Sequence, residues 1–217
     1  MLATILAAAI ALVAASGPQS WLDAKTLVPW NTVRQMQLPA RPGAPDAELA
    51  RGGRCASTVR PPTSTEDHAL VTRGWSLAGP YQRYGETSIV VAMAGADGMC
   101  RPMGYQGFVF VDGWYAGTLS PRPMDARTDG ALAALSIPLY DASNFTVDYV
   151  RYAPADALCC PHGTTTVSFK VKSLGGRPHV VPVAAGTQKN SQRSVPAALL
   201  PPSAVAGDGL DDGSQER

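Results

Sequence analysis

This 217-residue sequence predicts an α+β fold, mainly β, built as a small antiparallel sheet with one short helix and stapled by disulfides. Three observations carry that expectation. Short runs alternate apolar and polar residues with a period of two, as half-buried strands do. Turn formers are abundant, with Gly 21 and Pro 19. Four cysteines, an even number, follow an apolar leader.

The leader is Met1 to Ser16, MLATILAAAIALVAAS. It falls short of the roughly 20 apolar residues that span a bilayer. Ala14, Ala15 and Ser16 supply the small side chains that signal peptidase cleaves beside, although no Lys or Arg precedes the run. Residues 1–17 are therefore read as an export signal, and the only membrane contact the sequence offers is that signal left uncut. Residues 18–53 form an N-terminal segment and linker. Trp21 and Trp30 are expected to pin the segment to the domain, and the Pro/Gly/Ala-rich stretch from Pro39 to Gly53 to be mobile.

The folded domain is expected over 54–173. Thr63 and Glu66 fit a capping box ahead of a helix carrying Ala69, Leu70 and Val71 and ending at Gly74. Glu66, Asp67 and His68 point in different directions on such a helix and are read as a solvated face. Trp75 to Tyr84 reads as a short strand with a turn at Gly79-Pro80. Thr87 to Ala94, TSIVVAMA, is β-branched and nearly continuously apolar, as a central strand is. Gly104 to Pro121 reads as two strands joined at Asp112-Gly113, a pair suited to the positive φ of a type I′ turn. Ala131 to Leu139 offers one more strand, limited by Pro138. Asn144 to Ala153 and Thr164 to Val171 follow with clear alternation. From 174 to 217, Pro, Gly, Ala, Ser and Gln dominate, and the segment is read as a disordered tail.

Composition removes some functions. Lys+Arg 18 against Asp+Glu 17, without a basic block, gives no footprint for nucleic acid. Cys55, Cys100, Cys159 and Cys160 fit two disulfides in an exported chain. Three pairings exist, and the expectation is one of the two that send Cys159 and Cys160 separately to Cys55 and Cys100, because joining neighbours strains the backbone. Adjacent cysteines reach a shared zinc ion poorly, so Cys159-Cys160-Pro161-His162 is not assigned a metal. Asp125, Arg127 and Asp129 make a self-satisfied turn and lack the alternating oxygens of a calcium loop.

The stretches DGMCRPMGYQGFVFVDGWYAGTLSPRPMDARTDG and FTVDYVRYAPADALCCPHGTTTVSF resemble the LppP/LprE-like envelope proteins, in a form closer to those of cyanobacteria. The lipobox Cys of the lipoprotein members has no counterpart here. The resemblance implies an exported, small β-rich domain, and no reaction. It accords with the absence of a nucleophile elbow, a zinc-protease motif or a phosphate loop.

The expected function is thus a non-enzymatic cell-envelope protein, periplasmic or secreted, acting as a binding or structural module without cofactor. Its partner would be an envelope protein, a peptide or a glycan, held by Arg101, Trp114, Tyr115, Arg151 and Tyr152. The alternative is a hydrolase or a metal- or redox-active protein, using Cys159-Cys160-Pro161-His162 or the Asp125/Asp129 loop.

Overall fold

The computed structural model describes residues 20–33, 37–43 and 53–190. The expected export signal over 1–17 lies outside them. The chain enters through a 3-10 turn, Trp21–Asp23, capped by Ser20. The helix α1 spans Thr65–Thr72. Ten strands follow: β1 (Ser76–Leu77), β2 (Gln82–Tyr84), β3 (Thr87–Met93), β4 (Gly95–Ala96), β5 (Pro102–Met103), β6 (Gln106–Val111), β7 (Trp114–Thr118), β8 (Asn144–Arg151), β9 (Gly163–Leu174) and β10 (Arg177–Lys189). All pairings among them are antiparallel.

The first sheet has the order β1-β3-β6-β7, with β2 also on β3. Its β3 is buried at every position, because both faces of the sheet are covered. On one face Val90, Ala92, Phe108 and Phe110 pack with Leu70 of α1, Trp75 and Leu77. On the other, Ile89, Val91, Met93 and Val109 meet Phe145, Val147, Tyr149, Val167, Phe169 and Val180 of the second sheet, β10-β9-β8. A strand between two apolar layers loses its alternation, and this is why TSIVVAMA is apolar from Ile89 onward. The second sheet is the outer layer. There Phe145, Val147 and Tyr149 face in while Thr146 and Asp148 face solvent.

The hairpin turn is as expected. Asp112 and Gly113 both take positive φ, 49° and 75°. A second hairpin of the same kind moves the expected start of the tail beyond 174. Gly175 and Gly176, φ 59° and 76°, turn β9 into β10, which pairs from Arg177↔Leu174 to Lys189↔Gly163. The strands thus extend past 174, and of the stretch read as tail 191–217 lie outside the described residues. The stretch reads as tail because Pro, Gly, Ala, Ser and Gln dominate its composition, and β10 carries Pro178 and Pro182. Proline is admitted because β10 is an edge strand and the register shifts between Pro182 and Ala184.

Two further boundaries move. The helix cap is Ser64 with Asp67, one residue beyond the Thr63–Glu66 pair, and Asp67 is 0 % exposed. It takes a bidentate pair of bonds from Arg60, at 2.6 and 2.7 Å, and a bond from the Thr63 N–H. Asp67 is thus a buried anchor, not part of a solvated face. The start of the linker is docked as well. Pro39 C=O accepts from the Trp75 indole, and the Arg41 N–H donates to Arg73 C=O.

Trp21 and Trp30 do pin the N-terminal segment, stacking edge-on with each other and reaching Tyr149 and Phe169. Between the sheets sits Asn31. Its Nδ2 donates to Thr118 C=O and Val180 C=O, both at 2.9 Å, and its Oδ1 accepts from the Thr118 N–H. Gly117 makes room for it, since a Cβ there would lie 2.3 Å from Asn31 Cγ. Replacing Asn31 with Ala leaves buried backbone groups unpaired, with an expected loss of about 2–3 kcal/mol in chemical denaturation.

Burial pushes the Asp67 carboxyl up, but the bonds from Arg60 and Thr63 outweigh it and hold its pKa below the usual 3.8. Its contribution is therefore complete above that value and disappears as pH falls through the lower folded pKa. Acid melts are expected to show this loss in the native protein, and Asp67→Asn to be less stable at neutral pH with a flatter acid limb.

Candidate functional site

The five residues proposed for binding are not gathered into one surface. Arg101 turns back on Asp97, with Nε to Oδ2 at 2.6 Å. Arg151 is half-buried between Asp129, at 2.9 Å, and Asp23, so it ties β8 to the N-terminal turn. Tyr115 packs beside Phe108 and Phe110, and burial pushes its phenol up. The Tyr152 hydroxyl donates to Leu158 C=O. Trp114 alone is largely free, at 56 % exposed, and carries the Arg177 guanidinium 5.0 Å above its ring.

The acids of the 122–130 loop are likewise spoken for. Asp125 Oδ1 accepts from the Gly104 N–H at 2.7 Å, and Asp129 Oδ1 accepts from Arg151 and from the Tyr152 N–H. Among the described residues, no group of three or more His, Cys, Asp or Glu is placed to share a metal ion.

The cysteine pairing differs from the expected one. Cys55 joins Cys100 and Cys159 joins Cys160. Topology explains it. Cys55 and Cys100 sit at the β4–β5 end of the first sheet, whereas the 153–162 loop hangs from the far end of β8 and β9 in the second. In that loop Asp156 Oδ2 accepts from the Ala153 N–H at 2.7 Å, the His162 N–H at 3.2 Å and the His162 ring at 2.7 Å. The Ala153 N–H first, and then the His162 ring, hold the Asp156 carboxyl below its usual range.

The concave surface not foreseen from sequence is a groove of about 430 Å³ beside β8. Its origin is local. Downstream, β8 is covered: Val150 exchanges bonds with Ala131 and Gly130, and the Ala133 N–H donates to Asp148 C=O. Beyond Ala133 the chain leaves β8. Leu135 lies against Gly79, where a Cβ would come within 2.7 Å of Leu135 C=O, and the Ile137 N–H donates to Gln82 Oε1. The expected strand over Ala131 to Leu139 is therefore one bridge, Leu132↔Tyr149.

Between the departing chain and the first half of β8 the groove opens. Ala133, Ile137, Pro138 and Tyr140 line one side, and Asn144 to Asp148 the other. In the β8–β9 register, the N–H and C=O groups of Asn144, Thr146 and Asp148 point away from β9. The Asn144 N–H is held by Asp141 Oδ1. Among the described residues, the Thr146 N–H and C=O and the Asn144 C=O have no partner. Tyr140, 80 % exposed, stands at the mouth.

With that edge described, the comparisons take their place. Residues 81–173 match the LppP/LprE lipoprotein family. The match covers a little under half of the chain and agrees with the resemblance carried by the Asp112-Gly113 hairpin and the β8–β9 pair. A lipoprotein family supports an envelope or exported address. The LppP/LprE segment includes the groove-lining residues from 133 to 170 and Cys159-Cys160, and leaves out Cys55, α1, β1 and β10. No curated protein matches the chain, and no solved structure does. No described helix is long and apolar enough to cross a membrane.

Since Arg151 holds the N-terminal turn and β8 together, Arg151→Gln is expected to act as a structural lesion. It strands Asp23 and Asp129 and should lower thermal stability by about 1–3 kcal/mol, measured by calorimetry.

Proposed function

We propose that this chain is an exported, non-enzymatic envelope protein whose domain holds an extended polypeptide segment along the outer edge of β8. The observation that carries the reading is the unpartnered Thr146 N–H and C=O and Asn144 C=O lining a groove. An exposed strand edge is a template for another strand, and backbone bonds supply affinity while alternate side chains supply selectivity. Here those side chains would meet Ile137, Pro138 and Phe145 on the inner side, and Lys170 and Ser168 on the outer. A peptide fits these groups better than a glycan, because the free groups are main-chain donor and acceptor in strand register. The family match supports the address.

The groove replaces the earlier candidate set. Arg101, Arg151 and Tyr152 are occupied by their own neighbours, and Trp114 belongs to β7 of the first sheet, beside Arg177 on the β10 edge and not the β8 edge.

Selection from a random peptide-display library on the folded protein, followed by amide chemical-shift mapping, tests this. Binders should shift Asn144 to Asp148 and Ala133 to Pro138. Thr146→Pro removes an outward N–H that no strand uses, so stability should change by less than about 1 kcal/mol while peptide affinity falls on the order of tenfold. Thr146→Ala should keep both. Shifts confined to another face, or enrichment by an acyl chain or glycan in place of peptides, would overturn the proposal.

A further inference from the structure

The two disulfides stand in opposite circumstances. Cys55 is fully buried, and its bond to Cys100 closes a 45-residue separation. Cys159 and Cys160 are both exposed and adjacent in sequence. A disulfide stabilises chiefly by shortening the unfolded chain between its ends, and between neighbours there is no chain to shorten. Cys159–Cys160 therefore adds next to nothing to the stability of the domain, and opening it releases no segment.

The loop around it is held by other means. Asp156 gathers Ala153 and His162, the Tyr152 hydroxyl bonds Leu158 C=O, and the Cys160 N–H bonds Ala157 C=O. On the far side, Asn190 donates from its side chain to Pro161 C=O and from its N–H to His162 C=O. None of these bonds involves sulfur, so the same loop frame persists whether the pair is joined or open.

We propose that Cys159–Cys160 is a thiol–disulfide exchange site that accepts a dithiol, an activity independent of the peptide groove. A thiolate of the dithiol attacks one of the two sulfurs. The S–S bond breaks, a mixed disulfide forms, and the displaced cysteine leaves as a thiolate that takes a proton from water. The dithiol's second thiol, as thiolate, then attacks its own sulfur in the mixed disulfide. This yields an oxidised dithiol and two reduced cysteines, with two electrons transferred. A monothiol fails at the second step. The displaced neighbour, held one residue away, reattacks the mixed disulfide and expels it. The preference for dithiols follows from adjacency.

The test is reduction of the native, oxidised protein by dithiothreitol, quenched with N-ethylmaleimide and mapped by peptide mass spectrometry. Reduced glutathione at equal thiol concentration serves as the second arm. Cys159–Cys160 should open on the order of tenfold or more faster than Cys55–Cys100, with the thermal midpoint unchanged at that stage, and glutathione should leave it closed. The Cys159→Ser/Cys160→Ser double variant should lose the fast phase and keep its thermal midpoint, whereas Cys55→Ser/Cys100→Ser should show a clearly lowered midpoint. Opening of Cys55–Cys100 first or together with the exposed pair would overturn the exchange site. Equal reduction by glutathione would overturn its preference for dithiols.

Discussion

The structure depends on how its two sheets are joined, and the joint is the side chain of Asn31. One amide satisfies Thr118 at the end of β7 and Val180 in β10, strands that no ladder connects. Buried backbone groups at a sheet-to-sheet seam are costly unless paired, and here an amide from a distant part of the chain pairs them. Gly117 exists in that context as the gap into which the amide fits. Trp30 lies next to it, donating its indole N–H to the same Thr118 carbonyl. The N-terminal segment is thus a wedge between layers and belongs to the domain as fully as any strand.

Once the sheets are joined, the middle layer has no free face. The first sheet lies between α1 and the second sheet, and its strands carry large apolar side chains on both sides. The outer sheet behaves differently, alternating Phe145, Val147 and Tyr149 inward with Thr146 and Asp148 outward. Layer position therefore accounts for the two strand patterns in the sequence. It also places the 131–140 segment, whose Leu135 and Ile137 are drawn to the first sheet, away from the edge of β8.

The local signals were legible where a short-range rule governs the backbone. Asp112-Gly113 demands positive φ and gave its hairpin, and Ser64 to Asp67 announced a helix start to within one residue. Gly175-Gly176 carries the same turn chemistry as Asp112-Gly113. The Pro, Gly, Ala, Ser and Gln composition after 174 read as tail instead, and whether Pro178 and Pro182 fit a strand depends on whether it lies at an edge, a property of the whole sheet. The partners of Asn31 and Arg151 were illegible for a related reason. Each pairs with groups set by the tertiary fold, and no spacing in the chain encodes a bond spanning 149 residues, as Asn31 to Val180 does. The groove was hidden twice over, since it arises from a strand that stops pairing where its sequence still reads as strand.

The disulfide pairing shows how topology and chemistry divide the same four residues. Expecting two long-range staples rested on the cost of joining neighbours, a local argument that weighs one bond alone. The fold asks instead which sulfurs come near each other. Cys55 and Cys100 meet at one end of the first sheet, while the loop of Cys159 and Cys160 leaves the second sheet at another place. With no distant thiol in reach, an oxidised neighbour pair is what remains. Its contribution to stability is then close to nil, so the physical reason to keep two cysteines there has to be sought in what their sulfurs do at the surface.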